Sequence, residues 1–233
     1  MPEIAPDNVH NIDLRRMRLF QINSALLPVG GFSYSQGLET AIDQQWVHNP
    51  ESGANWIQAT AKHSLLYNDL ALLKRLHHAF STANNEAVEY WNQLSVAIRE
   101  TRELAAEDKD TAQSFKRVLL SLNSKFTEQL QTIRAISYVT AYAAYGVEHQ
   151  LLINECLASF IWSWLENQIQ VLLKLLPMGQ AAGQQLMFRL SEDLIELIHD
   201  AHEIEDDQIG FSLPGVVHAS AKHEQQYSRL FRS

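Results

Sequence analysis

Apolar residues recur at three- and four-residue intervals along most of this chain, and they never alternate every second residue between turns. The pattern predicts a first helix capped by Asn11 or Asp13, with Leu14, Met17, Phe20, Leu26 and Leu27 partly in helical register and Pro28 as its stop. A second helix starts at Ser33 or Ser35 and runs to about Trp46. HNPESGANW is a clear start signal, with Asn49 as cap, Pro50 first in the helix and Glu51 in its first turn. The stripe Trp56, Ile57, Leu65, Leu66, Leu72, Leu73 and Leu76 carries that helix to about Phe80. After Asn84 and Asn85, the residues Val88, Trp91, Leu94, Val96, Ile98 and Leu104 predict one amphipathic helix over 86–108. Further patterns cover about 111–122 and 127–147, with Gly146 weakening the second. Segment 151–176 is apolar nearly all round, as a buried central helix is. Pro177 and Gly179 end it, and a last long helix spans 180–204.

The pattern thus predicts an all-α fold, a single-domain bundle of roughly eight to ten helices. The domain covers 1–233, with a flexible lead at 1–10 and a docking tail at 216–233. A hydrophobic content of 46% is enough for a sizeable core. The formal net charge of −9 is the wrong sign for a general nucleic-acid or anionic-membrane binder. No run of about 18 uncharged apolar residues predicts a membrane span. The N-terminal residues do not read as a signal peptide, so the expected location is cytoplasmic. The one cysteine, Cys156, rules out an internal disulfide and a cysteine-based zinc cluster, and its apolar surroundings predict a buried thiol.

Candidate chemistry concentrates at LLPVGGFSYSQGLE, residues 26–39. A phosphate-binding loop needs a lysine after its last glycine and a strand before the first; Leu38 and Glu39 follow Gly37, and no strand precedes. A hydrolase elbow needs a second glycine where Ser35 stands. The remaining reading is a shaped helix-to-helix turn built on Pro28, Gly30 and Gly31. It presents Phe32, Tyr34 and Glu39 to a neighbouring chain, with Gln36 beside them. No catalytic residues are assigned.

Other polar clusters are weaker. Residues 190–221 carry eight acids and no Lys or Arg. Within them His199, His202 and Glu203 share a helical face that could hold a divalent metal, although no third ligand is fixed. His77 and His78 are adjacent and point apart on a helix. The charged run Glu100, Arg102, Glu103, Glu107 and Asp108 reads as a solvated helix with i,i+4 pairs. The final HASAKHEQQYSRLFRS is basic and aromatic on an acidic protein. Lys222, Arg229 and Arg232 face one acid, Glu224, while Tyr227, Leu230 and Phe231 supply apolar anchors. It suits docking, on its own domain or on a partner.

These segments together carry a resemblance. LLPVGGFSYSQGLE, RETREL at 99–104, WSWLENQ at 162–168, LPMGQAAGQQL at 176–186 and the terminal HASAKHEQQYSRLFRS occur in the order seen in the UreF family of urease accessory proteins. One departure is TIRAISYVTAYAAYG at 132–146, where that family usually has a Pro-Val-rich helix start. The resemblance implies an all-α, dimeric, non-enzymatic chaperone of nickel-urease maturation. It implies binding to UreD (UreH in some organisms), recruitment and modulation of the GTPase UreG, and nickel delivery to apo-urease. It implies no tightly bound cofactor, nickel being handled by the wider complex. Partner-binding positions would be Pro28, Gly30, Gly31, Phe32, Tyr34, Gln36, Glu39, Arg99, Glu100, Arg102, Glu103, His223, Glu224, Tyr227, Arg229, Leu230, Phe231 and Arg232. The alternative is a direct nickel carrier using His199, His202 and Glu203.

Overall fold

The computed structural model describes residues 6–233, and every regular element among them is helical. In chain order these are α1 (Pro6–Ile22), α2 (Leu38–Asp43), α3 (Pro50–Thr60), a π-helical segment (Ala61–Leu70), α4 (Ala71–Ser81), α5 (Asn85–Ala97) and α6 (Arg102–Ser121). Then follow α7 (Thr127–Thr132), α8 (Tyr138–Glu148), α9 (Ile153–Leu175), α10 (Gln180–Asp193), α11 (Leu197–Glu203) and α12 (Pro214–His223). Pro50 to Ser81 is one unbroken rod. Its start is built as the sequence reads: Asn49 Oδ1 accepts the Ser52 N–H at 2.8 Å, and Pro50 needs no partner for a missing N–H. Asn84 caps α5 in the same way.

The centre of the bundle is α8 against α4, α6 and α9. Eight consecutive residues of α8, Val139 to Gly146, are buried. Four of them are Ala or Gly, which lets three neighbours close in at once. At Gly146 a Cβ would sit 2.6 Å from the Cys156 sulfur of α9. The glycine that weakens the helical pattern is therefore a close-packing site. Cys156 is buried as expected, and burial pushes its thiol up to about 12. Phe115, Tyr138, Tyr142 and Phe160 form an aromatic knot beside it, and the Tyr142 hydroxyl donates to Ser159 Oγ at 2.8 Å.

The all-α class holds, but several boundaries move. The first helix stops at Ile22, because Asn23 is tied to α9: its side chain donates to Ser159 Oγ at 2.8 Å and accepts from Ser163. Asn11 and Asp13 lie inside α1 rather than capping it. The helix expected over 86–108 breaks at Ile98, and α6 restarts with Thr101 as cap, its Oγ1 accepting the Leu104 N–H at 3.2 Å. The polar stretch near residue 110 lies within α6. The helix expected over 127–147 breaks at 133–137. There the buried Asn92 donates to Ala135 O at 2.8 Å and accepts the Ser137 N–H at 3.0 Å. The last long helix splits around Leu194, which is fully buried at the turn between α10 and α11. Residues 1–5 of the expected lead lie outside the described residues; from Pro6 the chain is already in α1.

Candidate functional site

The opening turn and the end of the chain are built into one structure. Gly30 and Gly37, both at positive φ (74° and 83°), bracket a short 3₁₀ turn, Gly31–Ser33, and the extended Tyr34. Such backbone favours glycine. At Gly37 a Cβ would meet Ser220 N at 3.0 Å and Ala219 Cβ at 3.1 Å, so α12 packs directly on this backbone. Beyond α12 the chain returns along the turn. The Arg232 N–H donates to Ser33 O at 2.8 Å, and the Ser35 N–H donates to Ser233 O at 2.8 Å. The Ser35 hydroxyl donates to the same oxygen. Ser35 and Ser233 are both fully buried.

Three carboxylates organise this junction. Glu39, in the first turn of α2, accepts the N–H of Leu230 at 2.7 Å and of Phe231 at 3.0 Å. The fully buried His223 ring stands between two acids, Nδ1 at 2.7 Å from Glu103 and Nε2 at 3.0 Å from Glu39. Arg229 completes the row, donating to Glu103 at 2.7 Å. Glu107, one turn further along α6, accepts from Gln36 Nε2 at 2.8 Å and from Ser233 Oγ at 3.0 Å, joining turn and tail. Burial pushes the Glu107 carboxyl up to about 7, against these two hydrogen bonds and the nearby Arg99.

RETREL acquires a meaning residue by residue. Arg99 binds Asp69 of the π-helical segment at 2.6 Å and Asp108 of α6 at 3.1 Å. Thr101 caps α6 and shares a 2.7 Å hydrogen bond with Ser220 of α12. Glu103 holds His223 and Arg229. Glu100 and Arg102 stay exposed, although the Arg102 N–H donates to Glu224 at 3.1 Å. The charged patch is therefore not a solvated face: Glu103, Glu107 and Asp108 point inward to partners remote in sequence.

Of the turn residues expected to face outward, Phe32 and Pro28 do, whereas Tyr34 and Glu39 are buried. Tyr34 O accepts from Asn167 at 2.9 Å, and Gln36 Oε1 accepts from the Trp164 indole at 2.8 Å, so the WSWLENQ helix props up the turn. Gly30 and Gly31 have nothing within 4 Å of an added Cβ. In the tail, Phe231 is buried under Lys174, whose ammonium lies 4.9 Å from the ring centroid. Tyr227 and Leu230 are exposed, as are Glu224, Arg229 and Arg232. A cavity of about 390 Å³ adjoins the turn, lined by Leu27, Val29 and Gly31 and by Asp69, Arg99 and Glu107.

Sequence reasoning missed Ser35, Asp69, Thr101, Ser220 and Ser233 as members of this junction. Thr101 carried a signal, a cap residue before an acidic first turn; Ser35, Ser220 and Ser233 lay within the turn and tail segments with nothing to mark their pairing, and Asp69 carried none. At the other candidate site, His202 faces Asn154 at 2.7 Å and His199 is exposed. Among the described residues no group of three His, Cys, Asp or Glu side chains converges to hold a metal ion. No helix among them is long and apolar enough to cross a membrane.

These features define an all-helical protein whose invested polar chemistry binds one part of the chain to another, leaving exposed apolar side chains at the junction. The UreF family model matches residues 47–191. The chain is 38% identical to the urease accessory protein UreF of Alkalilimnicola ehrlichii over 223 residues, covering 96% of this chain and 98% of that protein. It is 39% identical to the protein of the same name from Marinomonas sp., with 97% of each covered. The chain belongs to the UreF family, the accessory proteins of urease maturation.

Proposed function

We propose that this protein is a non-catalytic, cytoplasmic chaperone of urease activation, and that the junction of turn and tail is its partner-binding surface. It binds UreD, and the pair recruits the GTPase UreG, modulates its cycle and promotes nickel delivery to apo-urease. The chain works as a homodimer and holds no cofactor of its own. The observation that carries this reading is the contrast at the junction. Glu39, Glu103 and His223 fix the tail with buried, charge-assisted hydrogen bonds, while Phe32, Tyr227 and Leu230 remain exposed beside them. Rigid apolar and aromatic anchors with a charged rim are what a protein interface uses, and pre-ordering them lowers the cost of binding.

The test is co-purification with UreD and UreG, with the mass of the complex measured by light scattering. The intact chain gives a complex containing all three. A chain ending before Ala221 keeps its helical circular dichroism and loses UreD. Undiminished UreD binding by that shortened chain overturns the assignment of the surface.

A further inference from the structure

We infer that the groove between α1 and the corner joining α8 to α9 binds a small oxyanion of the phosphate class. This groove is remote from the turn–tail junction in its residues. It encloses about 460 Å³ and is lined by Asn11, Arg15 and Arg18 on α1 and by Glu148, His149 and Gln150 opposite. Asn11, Arg15 and Arg18 share one helical face at i, i+4 and i+7. Two arginines one turn apart present their guanidinium groups on this wall, with Glu148 opposite and Glu155 3.3 Å from Arg15 Nε.

The acceptors at hand leave one buried N–H of each arginine, its Nε–H, unsatisfied. Arg18 donates from Nη1 to the neutral Gln21 side chain at 2.8 Å, and its buried Nε–H has no acceptor. Arg15 Nε lies 3.3 Å from Glu155, in a geometry that makes no hydrogen bond, and is likewise buried without an acceptor. A buried donor without an acceptor is costly, more so on a charged group. The one carboxylate in the lining is otherwise engaged: Glu148 accepts from the Ser124 hydroxyl and from the Lys125 N–H. His149 is packed edge-on against Tyr145 at 4.4 Å between centroids, which fixes its ring at the groove wall. Burial holds that ring below the usual imidazole range, and an imidazole in either form carries at least one N–H donor. A tetrahedral oxyanion supplies several acceptor oxygens to such a set of donors at once, and a guanidinium pairs with it through two N–H groups. The volume exceeds that of a bare phosphate and leaves room for a phosphorylated small molecule.

The test is calorimetric titration of the full chain with inorganic phosphate and, separately, with glucose 6-phosphate, at constant ionic strength set with chloride. Saturable binding of either probe is expected, weakened about tenfold in Arg18→Gln and in Arg15→Gln, the scale of one charge-assisted hydrogen bond. Arg16→Gln, on the exposed side of the same helix beside Asp13, should leave the affinity unchanged. Tighter binding of the sugar phosphate assigns the site to phosphorylated small molecules; tighter binding of phosphate assigns it to the free ion. Should Arg18→Gln lose helix content, Arg15→Gln gives the reading. No saturable heat with either probe, or an equal loss in Arg16→Gln, overturns the proposal.

Discussion

At the scale of the residue, the fold controls the protonation of Glu107. The carboxyl is raised from 4.5 to about 7 when folded. The folded state thus holds a proton that the unfolded chain has lost between those two values. The contribution of this group to stability is full below pH 4.5 and disappears as pH rises through 7. The shift corresponds to about 3 kcal/mol. Glu107→Gln approximates the neutral acid and keeps its shape. Its stability relative to the parent should therefore improve steadily from pH 5 to pH 7 and level off above that. Denaturant unfolding at pH 5, 6, 7 and 8 measures the difference, and a difference flat with pH would contradict the assignment. Comparing the two proteins at each pH cancels groups of opposite sign, such as His77 and His149, which burial shifts downward.

At the scale of the element, the contact of α12 with the turn depends on the absence of a side chain at Gly37. An alanine there would sit at φ +83° and 3.0 Å from Ser220 N, a backbone atom that cannot move alone. Gly37→Ala should cost about 1–3 kcal/mol, from the strained φ and the overpacking together. Thermal unfolding followed by circular dichroism checks this. Gly31→Ala is the comparison: it has ordinary φ and open space around it, and should change stability little. Helix starts were legible because they are local, as Asn49–Pro50 and Asn84 show. The break at Thr101 had only the local cap to signal it, and the one at 133–137 had nothing local, because long-range partners help make both. Arg99 is drawn to Asp69, thirty positions back, and Asn92 supports a loop more than forty positions ahead.

At the scale of the whole molecule, the junction was legible as two separate segments and not as one site. The turn showed its glycines and the tail its basic, aromatic character. Nothing in either string shows that Glu39 receives the backbone of Leu230 and Phe231, or that Ser35 meets Ser233. Charge misled as well: Glu103, Glu107 and Asp108 have the spacing of a solvated face, and only the return of the tail and the position of the π-helical segment turn that face into an interior. The family resemblance supplied what physics could not, a reason for a protein without a catalytic constellation to organise its buried charges around its own end.

Under the proposed function, buried hydrogen bonds at His223 present an exposed surface to a partner. This is tested most directly by the affinity of a His223→Ala variant for UreD, measured by calorimetry beside the parent. His223 is fully buried, so it contributes no direct contact to a docked partner. Its removal leaves Glu39 and Glu103 facing each other without their bridge, at a cost of about 3–5 kcal/mol to the docked tail. The predicted result is unchanged helix content with UreD binding weakened at least about tenfold, part of that cost appearing as the loss of pre-ordering. Parental affinity in a variant whose tail amides exchange freely would contradict the account.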